Sequence, residues 1–149
     1  MRYKNDLILA MKPKYLKLIL ERKKSVEVRR TRPACPADWP DRLWLYQGGF
    51  LHGYAEVVAF HVPDLTEHTM LHWVKAKCRE LHDQACLTEA EMLEYLYPAG
   101  RCMPRPILYQ LGLVMKAVVP IPVPCRPQSW IYMPDEVKLR IWGEGEARP

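Results

Sequence analysis

Apolar residues along this chain recur with two rhythms, one near 3.6 residues and one of two, and each change of rhythm marks an element. Leu7 to Met11 is a short apolar run read as a first strand that ends at Lys12-Pro13. Proline suits the first helical position, where its missing N–H is not needed. Leu16, Ile19, Leu20 and Tyr15 then form an apolar stripe at helical spacing, with Lys14, Lys17 and Glu21 on the other face. From Ser25 to Arg30 the period drops to two. Val26 and Val28 fall on one side and Ser25, Glu27 and Arg29 on the other, which predicts a half-buried strand. Lys23 and Lys24 sit at the helix-to-strand corner.

Downstream, Thr31 to Asp41 holds Pro33, Pro36 and Pro40, each of which removes a backbone donor, and reads as a loop. Leu43 to Tyr46 is a third strand and His52 to Val62 a fourth, joined through Gly48-Gly49 as an antiparallel hairpin. In the fourth, Ala55, Val57 and Ala59 alternate with Tyr54, Val58 and Phe60, as in a strand buried on both faces or a barrel wall. Leu71, Val74 and Cys78, with Trp73 alongside, space out as a helix. Thr88 and Glu91 match a capping box opening a second helix, striped by Met92, Leu93 and Leu96 and stopped by Pro98-Ala99-Gly100. Ile107 to Val119 reads as one bent or bulged strand. Pro120, Pro122, Pro124 and Pro127 predict an extended segment wrapping an outer surface. Periodicity alone gives an α+β class with a mostly antiparallel sheet, in one domain over 1–142 with a flexible tail over 143–149.

Composition adds three constraints. The 149 residues fit one domain. No apolar run reaches the roughly 18 residues that span a bilayer, and no secretory leader is evident, so the expectation is a cytoplasmic protein with no membrane partner. Cys35, Cys78, Cys86, Cys102 and Cys125 are odd in number and never form C-x-x-C, which fits reduced thiols rather than a disulfide framework or zinc knuckle. Charge is unevenly placed. Met1 to Pro33 carries eleven Lys and Arg against three acids, an excess of eight positive charges in a chain whose net charge is +5. Concentrated this way, the charge is a candidate electrostatic footprint for nucleic acid.

The same stretch resembles the signature of the ASCH family, within the larger PUA-like superfamily. That signature runs from a strand ending near K-P, through a helix, to G-K-K-T-x-E-x-R-R and a proline. The matching residues are Lys12 and Pro13, then Arg22-Lys23-Lys24-Ser25-Val26-Glu27-Val28-Arg29-Arg30, then Pro33. Pro127-Gln128-Ser129, followed by Trp130 and Tyr132, is similar to a P-Q-S segment near the family's C-terminus. The resemblance spans roughly Leu7 to Met133. It implies a small PUA-like β-barrel of about five or six mostly antiparallel strands, with a helix between strands 1 and 2 and further helices inserted later.

The resemblance also implies chemistry. Some small ASCH proteins deacetylate N4-acetylcytidine through a lysine, a threonine and a glutamate, and others are ribonucleases. Here the lysine matches Lys24, the threonine position holds Glu27, and the region expected to supply the glutamate offers Glu80, His82 and Asp83 without a clear equivalent. Lys24 and Glu27 are therefore the candidate catalytic residues, with Lys24 read as an exposed lysine at the mouth of a cleft whose loss would leave stability nearly unchanged. Lys12, Lys14, Lys23, Lys24, Arg29, Arg30 and Arg32 are candidate phosphate contacts. Gln128, Ser129 and Trp130, placed in a loop, are candidate base contacts, and Trp39, Trp44, Tyr46 and Tyr132 further stacking surfaces. His68 and His72 are four apart on a helix but lack a third ligand, so no metal and no cofactor is expected. The leading reading is a binder of RNA, single-stranded, or of a nucleotide-like ligand. A small hydrolase acting on RNA or a modified nucleoside is the second, and a protein-interaction module, using the proline-rich segment and the helical insertion, is the third.

Overall fold

Strands β1 (Leu7–Ala10), β2 (Val26–Arg29), β3 (Arg42–Gln47), β4 (Phe50–His61), β5 (Ile107–Pro122) and β6 (Trp130–Tyr132) form one sheet in the order β2-β5-β4-β3-β1-β6. They are seen in a computed structural model that describes residues 5–64 and 69–142. The helices are α1 (Pro13–Leu20), α2 (Met70–Leu81), α3 (Glu89–Leu96) and α4 (Asp135–Trp142). The class is α+β, as the sequence predicts. The sheet is mixed: β1 runs parallel to β3, while the other pairings are antiparallel. Parallel neighbours need a crossover, and here the chain between them passes through α1 and across to the far edge at β2.

The sheet curls into a half-barrel. β4 and β5 carry three register shifts along their shared ladder, and bulges of this kind bend and twist a strand. Gly53 permits one such close approach. Its φ is 148°, and a Cβ there would overlap the Met115 carbonyl. Curling brings β2 at one edge towards β1 and β6 at the other. Two hydrogen bonds cross the seam: Arg29 Nη2 to the Ala10 carbonyl at 2.9 Å, and Trp130 Nε1 to Thr31 Oγ1 at 2.9 Å.

Three apolar clusters hold this shape. Inside the curl, Leu16 and Ile19 of α1 pack on Leu7, Leu9, Leu43, Leu45 and Tyr109; a fully buried side chain such as Ile19 contributes about 1.5–3 kcal/mol. Outside it, Val26, Val28 and Leu108 meet Val74, Cys78, Met92 and Leu96 of α2 and α3. On another outer face Ile8, Trp44 and Leu51 are covered by Val137 of α4. Helix α4 is not evident in the sequence reading; Asp135 and Glu136 favour its first turn.

Three expectations are corrected. β2 is buried on both faces, because the α2–α3 insertion covers Val26 and Val28 while Glu27 and Arg29 turn into the curl. The backbone N–H groups of Ser25 and Val26, at the start of β2, donate to the carbonyl of Gln84, between α2 and α3. Pro120 and Pro122 do not wrap as a separate segment but lie in β5, with Pro122 opposite Phe50 and Ile121 opposite Leu51. Trp130 is not in a loop but begins β6 against Leu9 of β1. Among the described residues no helix is long and apolar enough to cross a membrane. The predicted tail over 143–149 lies outside the described residues, as does His68.

Candidate functional site

The corner after α1 places the site. Arg22 stands where the ASCH signature has glycine, and it takes the left-handed conformation that glycine adopts easily, with φ 61°. Arg22 N–H donates to the Ile19 carbonyl and Lys23 N–H to the Leu18 carbonyl, the paired bonds of a Schellman motif that ends the helix and turns the chain. Lys24 follows at once, pointed inward.

Lys24 is buried, 3% exposed, rather than a solvated lysine at a mouth. Its Nζ donates to the Ala85 carbonyl at 2.8 Å, lies 3.4 Å from Glu27 Oε1, and sits 5.2 Å from the centre of the Tyr15 ring. Glu27 Oε2 accepts from Arg29 Nε at 2.7 Å. Each oxygen of Glu27 therefore has its own cation, and each cation is tied to a backbone carbonyl elsewhere, Lys24 to Ala85 in the turn between α2 and α3 and Arg29 to Ala10 of β1. Such a network keeps buried charges paired, the condition under which they are tolerated.

These residues line a cleft of about 330 Å³ at the seam, walled by Ala10 at the end of β1, Met11 and Lys12 after it, Tyr15 of α1, Leu87, and Glu91 and Tyr95 of α3. The expected capping box is present: Thr88 N–H donates to Glu91 Oε1 at 2.8 Å and Glu91 N–H to Thr88 Oγ1 at 3.0 Å. The Thr88 backbone N–H, and after it the hydroxyl, hold the Glu91 carboxyl below its usual range. Burial pushes the Tyr95 phenol above its ordinary value. Arg30 lies 4.3 Å over the Tyr95 ring and donates to the Tyr95 carbonyl at 2.8 Å.

Of the residues singled out in the sequence, Lys12, Lys24, Glu27 and Arg29 line this cleft. Lys14, over Tyr15 at 5.6 Å, and Arg30 stand beside it. Lys23 does not; its ammonium is exposed and faces Glu21 at 3.6 Å. Arg32 and Trp130 adjoin the seam beyond Arg29, with Arg32 5.5 Å over the Trp39 ring. Gln128 and Ser129 are exposed, and the Ser129 carbonyl accepts from Ala10 N–H at 2.8 Å. Trp44 and Tyr46 are buried on the α4 side, away from the cleft. Tyr15, Leu87, Glu91 and Tyr95 were not foreseen as cleft residues; Glu91 and Tyr95, four apart on the capped helix, share a face.

Glu80, His82 and Asp83 do not line the cleft. Among the described residues no group of three His, Cys, Asp or Glu side chains could hold a metal ion. The described cysteines are free thiols, and burial pushes Cys78 up to about 11.

No protein-family model matches the sequence, and no curated protein matches it. Solved structures do match in fold. An ASCH protein from Zymomonas mobilis superposes with a TM-score of 0.70 at 20% identity, covering 93% of this chain and 94% of that one. A serine-to-alanine variant of the same protein gives 0.70 at 19% identity, over 95% and 96%. A tyrosine-to-phenylalanine variant gives 0.67 at 20% identity, over 92% and 96%. The chain therefore has the ASCH fold, a curled mixed sheet with helices, as its sequence signature implies.

Proposed function

We propose that this ASCH-fold protein binds RNA, taking one unpaired nucleotide into the cleft between α1, β2 and α3. The observation that carries the reading is the buried Lys24–Glu27–Arg29 array facing a cleft with tyrosines on two walls. A volume of about 330 Å³ falls at the small end of ligand sites, ~300–1,000 Å³, which suits a base or nucleoside rather than a folded partner. Tyr15 and Tyr95 offer ring faces, and stacking of a base on an aromatic ring is worth about 1–3 kcal/mol. Lys12 and Lys14 at one rim and Arg30 at the other bring the excess positive charge of the N-terminal segment to the entrance. Single strands present unstacked bases that such a cleft can read.

Hydrolysis is the second reading, favoured by the ammonium and carboxylate at 3.4 Å in Lys24 and Glu27. Binding is preferred because Glu27 holds a cation on each oxygen and would have to release one to accept a proton. Glu91, whose carboxyl is held below its usual range, is a weak base. A fluorescent single-stranded oligonucleotide titrated at several salt concentrations tests the binding reading. The logarithm of affinity should fall linearly with the logarithm of salt, by about 0.7 per phosphate neutralised. No binding at low salt removes the reading, and turnover of acetylated cytidine or of RNA would replace it with the second.

A further inference from the structure

Past Arg29 the seam runs on to a second polar cluster, in which two buried donors lack partners. Tyr109 lies opposite Glu27 in the β2–β5 register and is fully buried, yet its hydroxyl has no hydrogen-bond partner. Arg32 Nε is also buried without a partner, while the guanidinium is held 5.5 Å over the Trp39 ring. Trp39 is fixed in turn by its Nε1 donating to the Pro33 carbonyl at 3.0 Å and by the Phe60 ring at 5.1 Å. Arg105 stands near enough to act on Arg32 as a like charge, and neither arginine makes an ion pair among the described residues.

Buried polar groups are ordinarily paired, so the two orphaned donors, the Tyr109 hydroxyl and Arg32 Nε, ask for an acceptor from outside the chain. Two guanidiniums that repel one another specify its charge. An anion between them relieves the repulsion and takes charge-assisted hydrogen bonds of the kind arginine makes with phosphate. Tyr109 also links the two sites. It stands opposite Glu27 in the β2–β5 register, and its ring meets, edge-on at 6.0 Å, that of Phe60, which packs on Trp39 at 5.1 Å beneath Arg32, so the two sites are neighbours along one seam.

We propose that Arg32, Arg105 and the Tyr109 hydroxyl form a phosphate-binding subsite that receives the phosphate attached to the nucleotide held in the cleft. The proposal rests on the cleft reading and extends it: the ligand is a phosphorylated unit, not a free nucleoside. The phosphate is either the monoester of a free nucleotide or the diester of an RNA strand.

Calorimetric titration of wild type and of Arg32→Gln, Arg105→Gln and Tyr109→Phe, with four probe classes, tests this. The probes are inorganic phosphate, the four nucleosides, the four nucleoside monophosphates and a random-sequence RNA hexamer. Wild type is expected to hold a phosphorylated probe at least about tenfold more tightly than the nucleoside, the increment of one charge-assisted hydrogen bond. Each arginine variant should remove that increment and leave nucleoside affinity unchanged. Tyr109→Phe, which deletes an unpartnered hydroxyl and keeps the ring in the core, should reduce it with the fold intact. An increment in the monophosphates identifies a monoester site, and one confined to the hexamer a diester site. Equal affinities for nucleoside and phosphorylated probes, or an increment that survives all three variants, overturns the subsite while leaving the cleft reading standing. Binding of inorganic phosphate that depends on Arg32, with no nucleoside bound, sinks the cleft reading and keeps the subsite.

Discussion

Lys24 Nζ and Glu27 Oε1 lie 3.4 Å apart across the corner between α1 and β2, with side chains only 3% and 6% exposed. Both ends of the pair are anchored elsewhere, Lys24 on the Ala85 carbonyl and Glu27 on Arg29, so the corner, the α2–α3 insertion and β1 meet at two side chains. The site is therefore also part of what keeps the half-barrel and its helical cover together.

That double role makes Lys24 costly to remove. Lys24→Met should lower unfolding free energy by about 3 kcal/mol, the loss typical when one partner of a buried pair is deleted. Adding Glu27→Gln should recover part of it, since the carboxylate is then no longer left with one orphaned oxygen. Urea melts of wild type, both single variants and the double variant measure the coupling. Additive single effects would mean that the two side chains do not act as a pair.

Arg22 at φ 61° carries the penalty of a Cβ in the left-handed region, about 1–2 kcal/mol. Arg22→Gly removes it, though glycine also gives the unfolded chain more freedom to lose. The expected net is a gain of about 1 kcal/mol in a denaturant melt, with the Lys24 site unchanged. A loss of stability would show that the Arg22 side chain does more than occupy the turn.

Burial raises the phenols of Tyr95 and Tyr109 above the ordinary value of 10.0. Because the folded-state values lie above the unfolded ones, the neutral phenols contribute stability that is fully present below pH 10 and is lost as pH rises through the folded values. Ultraviolet titration should show most tyrosines ionising near pH 10 and a late group whose ionisation coincides with alkaline unfolding. Tyr109→Phe should shrink that late step; a titration with all phenols near 10 would contradict the burial.

How much of this was legible in the chain follows from the range of each interaction. The capping box of Thr88 and Glu91, the Gly48-Gly49 turn and the Pro13 helix start are local, and each is where the sequence pattern puts it. The burial of Lys24 depends on a carbonyl 61 residues away, and no local pattern distinguishes it from a solvated lysine in a turn. Val26 and Val28 have the alternation of a half-buried strand because each face of β2 meets a different cover, one apolar and one ionic. The prolines at 120 and 122 hid only the last residues of β5, and α4, in which Val137 is the one buried side chain among those described, shows no apolar stripe to read. Tyr95 and Glu91 became cleft residues only once α3 was laid against β2.

The central claim is that RNA enters the seam at Lys24. Amide chemical-shift mapping with a short single-stranded oligonucleotide at low salt addresses it residue by residue. The account predicts that shifts concentrate at Lys12, Tyr15, Lys24, Glu27, Arg29, Glu91 and Tyr95 and fade as salt is raised. Shifts confined to α4 and the outer face of β4 and β5, or none at all, would contradict it.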